Sequence, residues 1–240
     1  VTNNGEVQTW SSVPYPLAEE LRKNYGSDFK EVVLAGRHSM HLLGYENKKF
    51  NKEGIYIEAV APRMFSMRMV KGSVDALKDP TSVLLSQSAA KAYFGNEDPM
   101  NKIMKIDNQV EASVKGVYED MPANSIFGNL AFMAPWQLYY TTEPWFKNMK
   151  DPWRPNSFEI FVQLNPKAEF AAVSHKIRDS KLKNVNSELA KKKPAVFLHP
   201  MKNWHLYSEF KNGLNTGGRI SYVWMFGTIG VFVLLLACIN

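Results

Sequence analysis

At 240 residues the chain is long enough for one large domain or two small ones, and its 45% hydrophobic, 22% charged and 12% aromatic content excludes a disordered, collagenous or coiled-coil protein. A single cysteine, Cys238, excludes an intramolecular disulfide and a cysteine-built zinc site. The net charge of +6 is unevenly spread: residues 1–62 carry 7 basic and 8 acidic side chains, residues 63–155 carry 11 and 10, and residues 156–240 carry 11 and 5.

The excess of the last third includes the run Lys191, Lys192, Lys193 and the cluster Lys176, Arg178, Lys181, Lys183. No nucleic-acid recognition motif accompanies it, so no nucleic-acid partner is expected. A solvated helix face is the plain reading, and attraction to anionic lipid is another.

In chain order, Glu6 to Ser12 reads as a first strand. Pro16 opens a helix to about Tyr25, with Leu17 and Leu21 on one face and Gly26 as its stop. Phe29 to Ala35 and Lys49 to Val60 read as strands, the second with a break at Gly54. Val83 to Leu85 is a short apolar strand. Ser86 and Ser88 are candidate caps for a helix through Phe94, which Gly95 stops. Lys102 to Asp107 and Val110 to Tyr118 form paired strands around an Asp107-Asn108 turn, and Asn129 to Ala134 adds another strand.

Six aromatic residues follow between Trp136 and Trp153. They read either as core filling or as an exposed surface for a partner, with Trp136, Trp145 and Trp153 as its candidate residues. A second unit starts with strand Phe158 to Leu164. Asn165-Pro166 then caps a helix carrying Phe170, Val173 and Ile177, and Ala195 to Leu198 returns as a strand. Two β-α-β halves around a mostly β middle section predict an α+β fold.

From Tyr222 to Asn240 no charge occurs, and Tyr222 and Trp224 stand where interfacial aromatics belong. A membrane helix needs roughly 20 apolar residues, so this run is expected to be the start of a transmembrane helix, cut short. Val1 is not an initiator methionine, so the chain is expected to be an ectodomain taken from between two membrane helices. Before the run, residues 212–218 hold Gly213, Gly217 and Gly218. Glycine reaches both signs of φ, so these three are the expected hinge, and Arg219 is expected at headgroup level beside Tyr222 and Trp224.

Catalytic templates fail. No G-x-x-x-x-G-K-S/T, H-E-x-x-H or G-x-S-x-G occurs. The pairs His38/His41 and His199/His205 lack an obvious ligand set at metal spacing, and Glu97-Asp98 sits in a turn. No catalytic, cofactor-binding or metal-ligating residue is expected, and the chain is not expected to be an enzyme.

The stretch Ser82 to Pro122 resembles the periplasmic core domain of MacB/FtsX-type ABC transporter permeases, in the flavour of those abundant in Bacteroidota. The pieces that carry the likeness are S-x-S-A-A-K-A-Y-F-G-N-E-D-P and V-K-G-V-Y-E-D-M-P-A-N-S, and residues 212–240 are similar to the family's passage into its second transmembrane helix. The resemblance implies a porter-like subdomain, 1–62 with 156–207, and an inserted sabre-like subdomain, 63–155, followed by a linker over 208–221 and the membrane helix from 222 to 240. It also implies a separate cytoplasmic ABC ATPase, a second permease copy, a periplasmic adaptor or cargo, and a place in the bacterial inner membrane with the domain facing the periplasm. The work implied is mechanical: export of cargo, lipoprotein extraction or activation of a partner. A membrane-anchored sensor or ligand-binding domain stays open as the rival reading.

Overall fold

The computed structural model describes residues 1–3 and 5–239. The chain is α+β, and it divides into two compact units: Ser12–Glu169, and Val1–Ser11 together with Phe170–Asn240. Asn240, the last residue of the expected membrane run, lies outside the described residues.

A short hairpin, β1 (Thr2–Asn3) and β2 (Glu6–Val7), opens the chain. The expected strand from Glu6 to Ser12 is therefore only two residues long. The unit 12–169 then runs α1 (Pro16–Tyr25), β3 (Phe29–Gly36), β4 (Ser39–Tyr45), β5 (Lys48–Ile57), α2 (Ala61–Met64), β6 (Met69–Gly72), β7 (Ser82–Ser86), α3 (Gln87–Phe94), β8 (Ile103–Ile106), β9 (Val110–Tyr118), β10 (Phe132–Pro135), α4 (Trp136–Thr142), α5 (Pro144–Lys147) and β11 (Phe158–Leu164). The remainder holds α6 (Phe170–Lys176), α7 (Ser187–Ala190), β12 (Glu209–Lys211), β13 (Leu214–Gly217) and α8 (Ile220–Ile239).

Pro16 starts α1 as expected, since a proline at the first turn loses no intrahelical hydrogen bond. Leu17, Ala18, Leu21 and Tyr25 recur at helical spacing and are buried. On the solvent side Arg22 pairs with Glu58 and donates to the Val32 carbonyl at 2.8 Å, and Glu58 accepts the Leu34 amide at 2.7 Å. Helix, β3 and the segment after β5 are thus tied by one ion pair.

The sheet closes on itself. β5 pairs with β4 along its first half and with β10, in parallel, from Gly54 to Ile57. From β10 the pairing passes to β7, β9, β8 and back to β4. Inside this ring lie Leu43, Tyr56, Leu85, Met104, Val114 and Phe132, with Tyr93 and Phe94 of α3 packed against them. β3 pairs with β5 at Ala35–Ile57, and β11 pairs antiparallel with β3 from Phe158–Gly36 onward. The sheet therefore contains strands from residues 1–62, 63–155 and 156–207.

β4 is a strand that the sequence pattern did not reveal. Ser-Met-His-Leu-Leu-Gly-Tyr lacks clean alternation, and its turn to β5 uses Glu46 at φ 50° in place of a glycine or asparagine. β5 is not broken at Gly54, because the residue opposite it is Phe132 and the glycine leaves room for that ring. The Asp107-Asn108 turn is as expected, with φ of 55° and 56°.

Two further expectations are corrected. Asn165 does not cap a helix: its amide donates to the Ser27 carbonyl at 2.7 Å, and α6 begins only at Phe170. Ala195 to Leu198 is not a strand. Val196 N–H donates to the Arg178 carbonyl and Leu198 N–H to the Ser174 hydroxyl, so this segment satisfies its donors on the α6 region instead of a ladder. Val173 and Ile177 are buried at the expected spacing. The stretch 208–221, expected as a linker, holds the hairpin β12–β13.

The two sequence pieces that carry the family likeness meet at the start of α3. Ser86 Oγ accepts the Ala89 amide at 3.2 Å, and Asp120 accepts the Ser88 amide at 3.0 Å and the Ser88 hydroxyl. One helix N-terminus is thus capped from both motifs. Gly95 ends the helix at φ 61°. The motif tyrosines are buried and bonded: Tyr93 OH donates to the Leu43 carbonyl and Tyr118 OH to the Leu130 carbonyl, each at 2.7 Å. Burial pushes the Tyr93 phenol up to about 12. Ser88 caps nothing itself; it is the group that Asp120 caps through.

Burial alone would raise the Asp120 carboxyl, but the Ser88 and Ser86 hydrogen bonds outweigh it and hold the carboxyl below its ordinary range. A depressed carboxylate adds stability above its unfolded pKa and loses it as pH falls through the folded value. Asp120 is solvent-exposed, so the contribution is modest. Asp120→Asn is expected to cost about 0.5–1 kcal/mol at neutral pH and almost nothing near pH 2. Urea unfolding at the two pH values checks this, and an equal cost at both would refute the ionic cap.

Candidate functional site: an aromatic face and a membrane-proximal segment

In the unit 12–169, α4 and α5 follow β10 without a break. Pro144 at the first turn of α5 and the α4 threonines, whose hydroxyls donate back to the Leu138 carbonyl, set the corner between the two helices. This corner brings rings together. Trp136 lies 5.2 Å from Phe158 at an interplanar angle of 89°, and Phe146 stacks on Phe158 at 5.7 Å. Tyr15 reaches both Phe146 and Phe158, at 5.6 and 5.8 Å. Tyr139 joins this group to Tyr56, 4.8 Å away and stacked.

Of the three tryptophans that are candidates for a partner surface or for core filling, Trp136 is half-buried inside the cluster. Trp145 is 40% exposed at its fringe beside Tyr140, also 40% exposed. Trp153 is half-buried and lies outside these ring contacts among the described residues. Burial raises the phenols of Tyr15 and Tyr139, and burial together with Asp107 and Glu143 raises that of Tyr56. Burial thus favours the neutral phenol at all three, and the Glu143 carboxylate lies close enough to act on Tyr56 and Tyr139.

His38 and His41 have partners that sequence spacing did not show. His38 Nδ1 lies 2.8 Å from Glu53 Oε1. His41 Nδ1 lies 2.7 Å from Asp107 Oδ2, and its Nε2 lies 2.9 Å from Ser39 Oγ. That last chain has the atom order of nucleophile, base and orienting acid. Its setting is structural: Asp107 also accepts the Leu42 amide at 2.9 Å, so the carboxylate ties the β8–β9 turn to β4. Among the described residues, no group of three or more histidine, cysteine or acidic side chains is placed to hold a metal.

In the other unit, Asn212 and Gly213 have φ of 51° and 79° and form the tight turn of the β12–β13 hairpin. Gly213, one of the three expected hinge residues, therefore belongs to an ordered turn. Gly217 and Gly218 have φ of 105° and 133°; Gly217 ends β13, and Gly218 with Arg219 leads from it into α8. Arg219 is exposed, and Tyr222 and Trp224 are 59% and 72% exposed on the first turns of α8. α8 runs 20 residues, is apolar along its length and has no buried residue. At 1.5 Å per residue it is about 30 Å long, the thickness of a hydrocarbon core. Deleting residues 222–240 is expected to improve solubility and give a monodisperse chain on gel filtration, since an apolar surface of that size drives association. Unchanged aggregation would clear the helix as its cause.

Comparison with known proteins agrees with this architecture. A crystal structure of the periplasmic region of MacB from Actinobacillus actinomycetemcomitans aligns at 19% identity with a TM-score of 0.56, covering 77% of this chain and 83% of that one. The extracellular domain of the noncanonic ABC-type transporter YknZ from Gram-positive bacteria aligns at 16% identity with a TM-score of 0.57, covering 83% and 96%. A domain assigned to a permease protein from Porphyromonas gingivalis aligns at 18% identity with a TM-score of 0.60, covering 80% and 84%. At these identities the likeness is one of fold. No curated protein sequence matches the chain. The family model of the MacB-like periplasmic core domain matches residues 1–180, three-quarters of the chain, and the chain belongs to that family.

Proposed function

We propose that the chain is the extracytoplasmic domain of an ABC transporter permease that acts by movement and not by chemistry. A separate cytoplasmic ATPase supplies the energy, α8 crosses the bacterial inner membrane, and a second permease copy completes the transporter. The domain passes motion to work in the periplasm: export of cargo, lipoprotein extraction or activation of a partner.

The observation that carries this reading is the order along the chain: a family domain matched over 1–180, then a hairpin that ends on Gly217, Gly218 after it with both glycines at positive φ, and an unburied apolar helix of membrane length. β3–β11 pairing between residues 1–62 and 156–207 supports a porter-like part built from both, with 63–155 as an inserted sabre-like part. Gly217 and Gly218 serve as the hinge, Arg219, Tyr222 and Trp224 hold the helix at the interface, and the exposed fringe of the aromatic face at Trp145 receives an adaptor or cargo.

The purified chain is expected to turn over no ATP, and added chain is expected to leave the turnover of the ATPase alone unchanged. ATPase activity that co-purifies with the chain through successive columns would contradict the reading.

A further inference from the structure

Charge divides between the two compact units without remainder. The unit 12–169 holds 19 basic and 19 acidic residues, while residues 1–11 with 170–240 hold 10 basic and 4 acidic. The whole +6 belongs to the unit that carries α8. Lys191, Lys192, Lys193, Lys202, Lys211 and Arg219 are all exposed there. None of the six forms a side-chain ion pair among the described residues, whereas cations of the neutral unit do, Arg63 with Asp75 at 2.7 Å and Lys71 with Asp98 at 3.0 Å among them.

The backbone places several of these charges beside one another. Thr2 N–H donates to the Lys192 carbonyl at 2.8 Å, which sets β1 against the lysine run. β1 pairs with β2, and a Cβ built on Gly213 would lie 3.2 Å from Val7 of β2, which sets the β12–β13 turn against the same small hairpin. Lys211 precedes that turn and Leu214, 72% exposed, follows it. From Leu214 the chain needs only the rest of β13, Gly218 and Arg219 to enter α8.

We infer that this unit carries a lipid-docking surface: the exposed Lys191, Lys192, Lys193, Lys202 and Lys211 lie on the anionic phospholipid headgroups of the bilayer that α8 enters, and Leu214 dips into the interface. The inference rests on α8 spanning the membrane. Charge complementarity selects the occupant, because an unpaired cationic surface with a protruding leucine matches an anionic headgroup layer over an apolar one. Tethering does the rest. α8 keeps the headgroups permanently within reach, so a modest attraction per lysine holds the surface down without high intrinsic affinity. The attraction decays over about 8 Å at physiological salt, so it acts only on a surface held this close.

The test uses the full chain in nanodiscs of phosphatidylcholine, with or without phosphatidylglycerol, read by amide hydrogen exchange. Segments 189–195 and 209–216 are expected to exchange about tenfold more slowly in the anionic discs, and salt near ~0.5 M is expected to erase the difference. A Lys191→Glu, Lys192→Glu, Lys193→Glu variant is expected to lose it too, while exchange in 12–169 stays as in the parent and certifies the fold. Equal exchange of the two segments in both discs, with the α8 amides protected, overturns the docking surface and leaves the membrane helix standing. Unprotected α8 amides in both discs overturn the membrane reading and the docking with it. Heparin protecting the segments in neutral discs as well as phosphatidylglycerol does would assign the surface to a soluble polyanion and overturn the lipid.

Discussion

Gly54→Ala is expected to destabilise the domain by about 2 kcal/mol and Gly54→Val by about 3 kcal/mol, large effects for the addition of one to three carbons. A Cβ at position 54 would sit 2.1 Å from two carbons of the Phe132 ring. Phe132 is fully buried, its ring lies 5.6 Å from the His41 ring, and its backbone pairs with both β5 and β7. Neither ring nor strand has room to retreat. Gly54 is also where β5 changes partner, from Ser39 of β4 to Phe132 of β10, so strain here falls on the pairing that closes the sheet.

Phe132→Ala alone is expected to cost about 3–5 kcal/mol through lost burial and the cavity left behind. The double variant separates packing from backbone effects. With the ring gone, an alanine at 54 occupies vacant space and is better than glycine in a strand by about 0.5–1 kcal/mol. Gly54→Ala should therefore change sign, from destabilising in the parent to stabilising in the Phe132→Ala background. Urea midpoints of the four proteins in the same detergent measure it. A neutral Gly54→Ala in the parent would show that the close approach is not there.

Local signals carried much of the fold. Pro16, Ser86, Gly95 and the Asp107-Asn108 turn each fix backbone geometry within a few residues, and α1, α3 and the β8–β9 hairpin stand where those residues put them. The failures have a common cause in distant partners. Asn165-Pro166 has the chemistry of a helix cap, but a carbonyl more than a hundred residues earlier takes the asparagine amide. Ala195 to Leu198 has strand composition, but its amides bond to the Arg178 carbonyl and the Ser174 hydroxyl, near in space and not adjacent in sequence. β4 was hidden because its identity as a strand depends on β5 and β8 at its sides and on an unusual Glu46 turn. At the site, Tyr222, Trp224 and the glycines were visible as composition. The convergence of Tyr15, Trp136, Phe146 and Phe158 was not, since Tyr15 is far from the others in sequence and is set beside Phe158 by the Val13–Phe158 bridge.

The second large effect is expected at the joint between β13 and α8. In the full-length permease with its ATPase, Gly217→Pro with Gly218→Pro is expected to reduce transported output by about tenfold or more while ATP turnover falls far less. Proline fixes φ near −65°, and the joint holds φ of 105° and 133°, so both residues must leave the geometry that connects hairpin to helix. Gly218 is also buried. A Cβ on it would lie 3.0 Å from the Leu206 carbonyl and 3.3 Å from the Ser208 nitrogen, and the Leu206 carbonyl is the acceptor for the Ile220 amide at the first turn of α8. The start of the helix is thus registered against the segment before β12 through this glycine. A transmitter that rocks a helix against a hairpin needs a joint of this kind, stiff in register and free in two dihedral pairs. Gly217 has more space: a Cβ there meets only Ile220 Cγ2, at 3.4 Å. Gly217→Ala should therefore cost output less than Gly218→Ala, although its positive φ is strained for any L residue. Assembly of each variant is checked by co-purification of the ATPase. Normal output from an assembled double-proline variant would show that motion does not pass through this joint. Loss of output and ATP turnover in equal measure would make the glycines a folding requirement and not a coupling element.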